Sequence, residues 1–420
     1  MHAILNPVGS HGDVHPFVGL GRELLARGHS VTLVTAEPFR PLAEAHGFAF
    51  APTSSAEDYE AVVHDPDLWH PTKSLLVLFE GERADRALRA AYTAIAAAVG
   101  PDPRECVVVS GSLGLAGRLA HDALGVRFAT VHLQPSSLPS VTDPPVFPTF
   151  TVPKWWPHWL RRLMYYVAER RVLDPVLSPG VNGLRRELGL PPIRRIFGPW
   201  RHSPQRLLLA FPAWYAHAAD WPGSCIHTGF PHFDQSAEAG LPAAVDAFLA
   251  AGTPPVVVSF GTAMRQAREP IAAAVEACAR LGRRVVILAK SGEQVPTPLP
   301  AHAFHADYAP FSRVLPRAAA LIHHGGVGTS AQALRAGVPQ LIRPMAFDQP
   351  DNAARLHRLG VARSVPVRDF AATRVAAALG DLLSSAATKS ACAQLAARAN
   401  AEPAGEAAMA DAVEALAGQK

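Results

Sequence analysis

Three short runs in the second half of the chain carry side chains suited to holding a charged, sugar-bearing ligand. They are His323-His324-Gly325-Gly326-Val327-Gly328-Thr329-Ser330, Ala336-Gly337-Val338-Pro339, and Phe347-Asp348-Gln349-Pro350-Asp351-Asn352. An apolar stretch over residues 318–322 reads as a buried strand, and the glycines behind it let the backbone turn tightly into a helix. The N–H groups of Gly326, Gly328, Thr329 and their neighbours then open the helix. A helix start carries partial positive charge and unpaired donors, which suits a phosphate, and an imidazole beside it adds a further hydrogen bond. Both His323 and His324 are candidates for that imidazole; the spacing to Gly337 favours His324. A second strand over residues 339–343 ends just before Asp348 and Gln349, whose side chains can accept from and donate to sugar hydroxyls. One loop for phosphate and one for a polyol describe a nucleotide-sugar site.

A second anion-binding candidate is Ser259-Phe260-Gly261-Thr262, where Gly261 allows close backbone approach and Thr262 supplies a hydroxyl. Near the N-terminus, Gly9-Ser10-His11-Gly12-Asp13-Val14-His15-Pro16-Phe17 places His11, Asp13 and His15 within five residues, with Gly12 placed among the donor contacts. Moving a sugar from a nucleoside diphosphate needs a base near the accepting oxygen, and any of the three can serve. A lone aspartate before a helix also reads as a capping residue. The pair in Asp65-Pro66-Asp67 has the spelling of a metal cradle, but Pro66 and its polar neighbours make a loop the more natural reading, so no metal site is expected.

These residues need a scaffold, and the hydrophobic pattern supplies one. Strands are expected over 3–7, 30–35, 106–110 and 128–133, with helices over 17–27 and 115–124 between them. The pattern restarts with a strand at 255–260, a helix at 270–281 and a strand at 284–289. This alternation predicts an α/β protein of two Rossmann-like, doubly wound parallel sheets. Turn-prone segments after about residue 215 set the expected boundaries: a first domain over 1–215, a linker over 216–240, a second domain over 241–395 and a terminal helix over 396–420.

The order of these motifs resembles the donor-binding signature of nucleotide-sugar glycosyltransferases of the GT-B fold. Tyr308-Ala309-Pro310-Phe311 stands where that family has a Trp-Ala-Pro-Gln segment stacked on the base, so the resemblance makes Tyr308 and Ala309 donor-binding. It also implies a central cleft between the two domains and a terminal helix that folds back on the first. In the Gly-Ser-x-Gly-Asp branch of the family, Asp13 occupies the position of the base, which places it ahead of His15 and His11. The family's acidic, ribose-binding residue is replaced here by Gln332. A narrower resemblance, carried by pieces such as Asp65-Pro66-Asp67-Leu68-Trp69, Phe211-Pro212-Ala213-Trp214 and Thr228-Gly229-Phe230-Pro231, is to the rhamnosyltransferase subunit of rhamnolipid biosynthesis. It implies a dTDP-sugar donor and a hydroxy-fatty-acid acceptor. Sterols, polyketides or phenolics are the alternative acceptors, and an inactive sugar-nucleotide-binding subunit is the alternative outside the enzymes.

Composition agrees with that class. The chain has 420 residues, 49% hydrophobic and 18% charged, enough for two packed cores. A net charge of +4 is too small to argue for nucleic acid. Cys106, Cys225, Cys278 and Cys392 are scattered without metal spacing and read as reduced thiols of a cytoplasmic protein; neither a signal peptide nor a spanning segment is expected. No cofactor beyond the sugar nucleotide is expected. The absence of a G-x-G-x-x-G run argues against a nicotinamide dehydrogenase. Trp155, Trp156 and Trp159, set in a cationic, apolar stretch, are candidates for acceptor binding or for a contact at the inner face of the membrane. The proline-rich loop before them, 139–148, is expected to be a flexible lid.

Overall fold

The computed structural model describes residues 1–234, 240–262, 264, 266–290 and 292–418. The chain divides into two compact units, Met1–His232 with Ala404–Lys420, and Phe233–Pro403.

The first unit is built on a parallel seven-stranded sheet in the order β3-β2-β1-β4-β5-β6-β7. Its strands are β1 (His2–Asn6), β2 (Ser30–Thr35), β3 (Ala49–Pro52), β4 (Cys106–Gly111), β5 (Arg127–His132), β6 (Arg206–Leu209) and β7 (Cys225–His227). The central strands are Val- and Leu-rich on both faces, as a sheet covered by helices on each side requires. Ile4, Val34, Val108 and Phe128 meet Ile95 of helix Gly81–Val99 in one core cluster. The second unit repeats the scheme with six parallel strands in the order β10-β9-β8-β11-β12-β13: β8 (Val256–Ser259), β9 (Val285–Leu288), β10 (Ala303–Ala306), β11 (Ala320–His323), β12 (Gln340–Ile342) and β13 (Ala362–Ser364). In each sheet the order reverses once, between β1 and β4 and between β8 and β11. Ligands collect at such switch points, beyond the carboxyl ends of the strands.

The boundaries differ from the sequence reading at both ends. β7 falls inside the expected linker and completes the first sheet; residues 235–239 of that linker lie outside the described residues. The alanine-rich tail is two helices, Ala386–Ala401 and Gly405–Ala417, because Pro403 cannot continue the first. Only Gly405–Ala417 belongs to the first unit, where it buries Met409, Val413 and Leu416. There Arg27 Nη1 reaches Asp411 at 2.6 Å and Glu414 at 2.7 Å. Residues 419–420 lie outside the described residues. The loop 139–148 is pinned by Asp220, whose carboxylate accepts from Val141 N at 2.8 Å, Thr142 Oγ1 at 2.7 Å and Ser140 Oγ at 2.5 Å. Those bonds hold residues 140–142, the first part of the segment whose prolines suggested a lid.

Candidate functional site

In the first unit the segment after β1 is helical from His11, six residues earlier than its Pro16 suggested. Ser10 is the N-cap, and Asp13 sits at the third helical position. The Oδ2 atom of Asp13 accepts from Ser10 N at 2.8 Å and from Ser10 Oγ at 3.3 Å. The capping role anticipated for a lone aspartate is therefore realised. Gly9, at φ 136°, makes room for the arrangement, since a Cβ there would fall 2.2 Å from Asp13 Oδ2. Oδ1 receives no hydrogen bond from the described residues. Burial outweighs the Ser10 bonds and pushes the carboxyl up to about 6.

Helix geometry also separates the three titratable side chains that the sequence put together. Residues two apart on a helix point to different faces, so His11 and His15 share one face, ring centroids 5.6 Å apart, and Asp13 lies on another. The His11 ring leans on Phe39 at 4.9 Å. Among the described residues the hydrogen-bond partner of the Asp13 carboxylate is Ser10, not either histidine.

A cavity of about 500 Å³ lies at the β1/β4 switch point, and none of His11, Asp13 and His15 is among its lining residues. Asn6 and Val8 line it from β1, and Leu113 and Gly114 from the turn after β4. Phe79 and Leu88 close it from helices Ser74–Phe79 and Gly81–Val99, and Leu177 from helix Asp174–Glu187. Trp155, Trp156 and Trp159, the acceptor candidates, do not line it. The inward side of their helix is held elsewhere, leaving Trp155 and Trp159 facing solvent. The cavity has no signal in the sequence, because its lining is drawn from segments widely spaced along the chain, none with a motif of its own.

In the second unit the turn after β11 is organised around His324. Its imidazole lies between the backbones of Gly261 and Gly326: a Cβ on Gly261 would come 2.9 Å from His324 Cε1, and one on Gly326 would come 2.6 Å from His324 Nε2. The two glycine loops thus both close on the Cε1–Nε2 edge of the ring. Its Nδ1 is buried without a hydrogen-bond partner among the described residues. Burial lowers the imidazole to about 4, so it meets a ligand as a neutral ring. Helix Val327–Ala336 begins at Gly326 with no side-chain cap, leaving the N–H groups of its first turn for an anion. Gly328 and Thr329 belong to that turn and are exposed or half-buried; Gly261 and Thr262 are exposed.

His323 is a different case. It is fully buried as the last residue of β11; its Nδ1 accepts from Gly325 N at 3.2 Å and its Nε2 donates to Gln340 Oε1 at 3.0 Å. Both ring nitrogens are spent inside the protein, so its candidacy for phosphate is withdrawn. Gln349 is also largely structural. It is buried, and its Oε1 accepts from Met345 N at 2.9 Å and Ala346 N at 3.3 Å, leaving Nε2 as the donor for a hydroxyl.

Asp348 opens helix Gln349–Arg358 after Phe347, whose φ of 54° is strained for a bulky residue. Asn352, which ends the Asp348 run without an assigned contact, ties the two ligand loops together. Its Nδ2 donates to Gly325 O at 2.9 Å and to Asp348 Oδ2 at 2.6 Å. Tyr308 is 42% exposed, consistent with a platform for a flat ring, and its hydroxyl donates to Asp234 at 3.3 Å. Ala309 is buried beneath it. Asp65 and Asp67 do not pair: Asp65 accepts from Asp67 N at 2.9 Å, and Asp67 faces Lys73 at 3.0 Å.

Two Rossmann-like units, one presenting a phosphate turn, define a nucleotide-dependent transferase of the GT-B fold. Comparisons with known proteins narrow that class. Residues 4–141 match the glycosyltransferase family 28 N-terminal domain, and residues 272–416 the C-terminal domain of erythromycin biosynthesis protein CIII-like proteins. The O-mycaminosyltylonolide 6-deoxyallosyltransferase of Streptomyces fradiae is 34% identical over 397 residues, covering 87% of this chain and 86% of the relative. The glycosyltransferase GtfC of Amycolatopsis orientalis is 29% identical, covering 90% of each. Among solved structures, the glycosyltransferase of kitacinnamycin superposes with a TM-score of 0.74 at 22% identity, covering 99% of this chain and 98% of that one. The chain belongs to the nucleotide-sugar glycosyltransferases and is an enzyme of that family. None of these relatives is named for rhamnolipid synthesis, so the narrower resemblance to rhamnolipid enzymes finds no support in them.

Proposed function

We propose that this enzyme moves a sugar from a thymidine- or uridine-diphosphate sugar to a hydroxyl of an apolar, polyketide-class acceptor, inverting the anomeric centre without a metal ion. The observation that carries the donor half is the His324 ring held between Gly261 and Gly326 at an uncapped helix start. A dTDP donor draws support from VinC, a protein of the same fold solved with dTDP. For the acceptor, the cavity in the first unit is of small-molecule size and largely apolar, and the Streptomyces fradiae relative is named for a macrolide.

In this reading Asp13 Oδ1 takes the proton of the acceptor hydroxyl while the oxygen bonds to the anomeric carbon. The bond from that carbon to the diphosphate oxygen breaks, and its electron pair leaves with the nucleoside diphosphate. Neutral His324 and the first-turn N–H groups of Val327–Ala336 meet the charge that develops there. Tyr308 stacks on the base; Asp348 and the Gln349 amide hold sugar hydroxyls.

A thermal-shift panel of UDP- and dTDP-sugars, followed by turnover with a macrolide aglycone and with a 3-hydroxy fatty acid, tests the proposal. A ligand that binds only the native state raises the melting temperature with its concentration. Stabilisation by a dTDP-sugar with transfer to the aglycone is expected. Transfer to the fatty acid alone would replace the polyketide reading with the lipid one.

A further inference from the structure

We infer that one face of helix His158–Ala168, with the turn before it, is a docking surface for an anionic lipid layer. Trp159, Leu163 and Val167 recur at helical spacing and so form one stripe, yet the stripe points outward. Trp155 is 81% exposed, Trp159 64%, and Leu163 and Val167 are each close to half exposed. An apolar stripe turned to solvent is the reverse of an ordinary surface helix.

The outward orientation is fixed from beneath. Arg161, buried on the opposite side, donates to the carbonyls of Val141 and Lys154, and the Tyr165 hydroxyl donates to Ser140 O at 2.9 Å. Rotating the helix to bury the stripe would break all three.

Charge selects the occupant. From residue 154 to 172 the fully exposed charged side chains are Lys154, Arg162 and Arg171, all cationic. The one carboxylate of that stretch, Glu169, is buried against Arg195 at 2.8 Å. Indole rings flanked by arginine and lysine match an interface whose inner side is apolar and whose outer side is negative. None of these residues lines the cavity of the first unit, so the surface is separate from acceptor binding. No helix among the described residues is long and apolar enough to cross a membrane, so the contact is superficial.

The test is co-sedimentation of the full chain with vesicles of phosphatidylcholine alone and with about one third phosphatidylglycerol, with tryptophan fluorescence and sedimentation velocity alongside. Binding to the anionic vesicles, weakened by salt, with a blue-shifted emission is expected. Trp155→Ser/Trp159→Ser and Arg162→Glu should each lose at least tenfold in partitioning while keeping the wild-type melting temperature and dTDP affinity. Equal partitioning of wild type and variants, or none with the anionic vesicles, overturns the inference. So does concentration-dependent dimerisation that the same variants abolish without any vesicle binding, which would make the stripe a contact between copies.

Discussion

At the scale of single residues, Asp13 carries the sharpest expectation. Its carboxyl titrates at about 6 in the fold against 3.8 ordinarily, and a base works only when ionised. The acceptor-limited kcat/KM should therefore fall as pH drops through about 6 and level off above about 7. Asp13→Asn should lower turnover by two to four orders of magnitude, roughly the range for a positioned base, with donor affinity unchanged. The raised value also bears on stability. Between pH 3.8 and about 6 the folded state holds a proton that the unfolded chain has released, so wild type loses stability as pH rises through that window. The asparagine variant should thus melt higher than wild type at pH 7 and show little advantage at pH 4. His324→Ala should weaken dTDP itself about tenfold or more, since the lost contact is to phosphate. The residue types of this site were legible in the sequence, but not how each is used. His323 and His324 are adjacent letters, yet only the second leaves the strand; Gln349 reads as a sugar ligand until its Oε1 is seen holding two backbone N–H groups.

At the scale of elements, the donor turn depends on two missing Cβ atoms. Gly326→Ala would set a methyl group 2.6 Å from His324 Nε2, and Gly261→Ala would do the same at 2.9 Å from Cε1 while straining a φ of 89°. Each variant should fold and yet lose dTDP affinity by about as much as His324→Ala, and combining either with His324→Ala should add little, because one ring is the shared target. Calorimetric titration of the singles and doubles measures this; additive losses would separate the glycines from the ring. Strands were the most readable elements. Buried runs such as residues 30–35 and 106–110 leave little alternative, and helix Leu115–Leu124 follows from its spacing between them. The short strands β3, β6, β7, β10 and β13 were not among those expected, and two further misreadings involve proline. Pro16 sits inside helix His11–Ala26, although proline usually marks a boundary, while the prolines of 139–148 sit in a loop held by Asp220.

At the scale of the molecule, the terminal helix Gly405–Ala417 is an integral part of the first unit. Truncation after Pro403 would expose the faces that Met409, Val413 and Leu416 cover, leave Arg27 with Glu23 but without Asp411 and Glu414, and remove the Glu406 carboxylate that accepts from His232 N at 2.6 Å. Differential scanning calorimetry should show a fall of several degrees or more in the first unit's transition. The cavity at the β1/β4 switch point belongs to this scale too. Phe79, Leu113 and Leu177 are far apart along the chain and are brought together only by the tertiary fold, so no local motif marks the cavity. The central claim, that this chain is a metal-independent nucleotide-sugar glycosyltransferase with Asp13 as its base, is tested most directly by initial rates in chelated buffer at pH 7.5. Wild type and Asp13→Asn would be given a dTDP-sugar and a macrolide aglycone, with product mass and anomeric configuration read out. Wild type should release dTDP and an inverted glycoside at a rate unaffected by EDTA, and the variant should bind donor but barely turn over. Near-normal turnover by the variant, or activity that vanishes with the chelator and returns with a divalent metal, would contradict it.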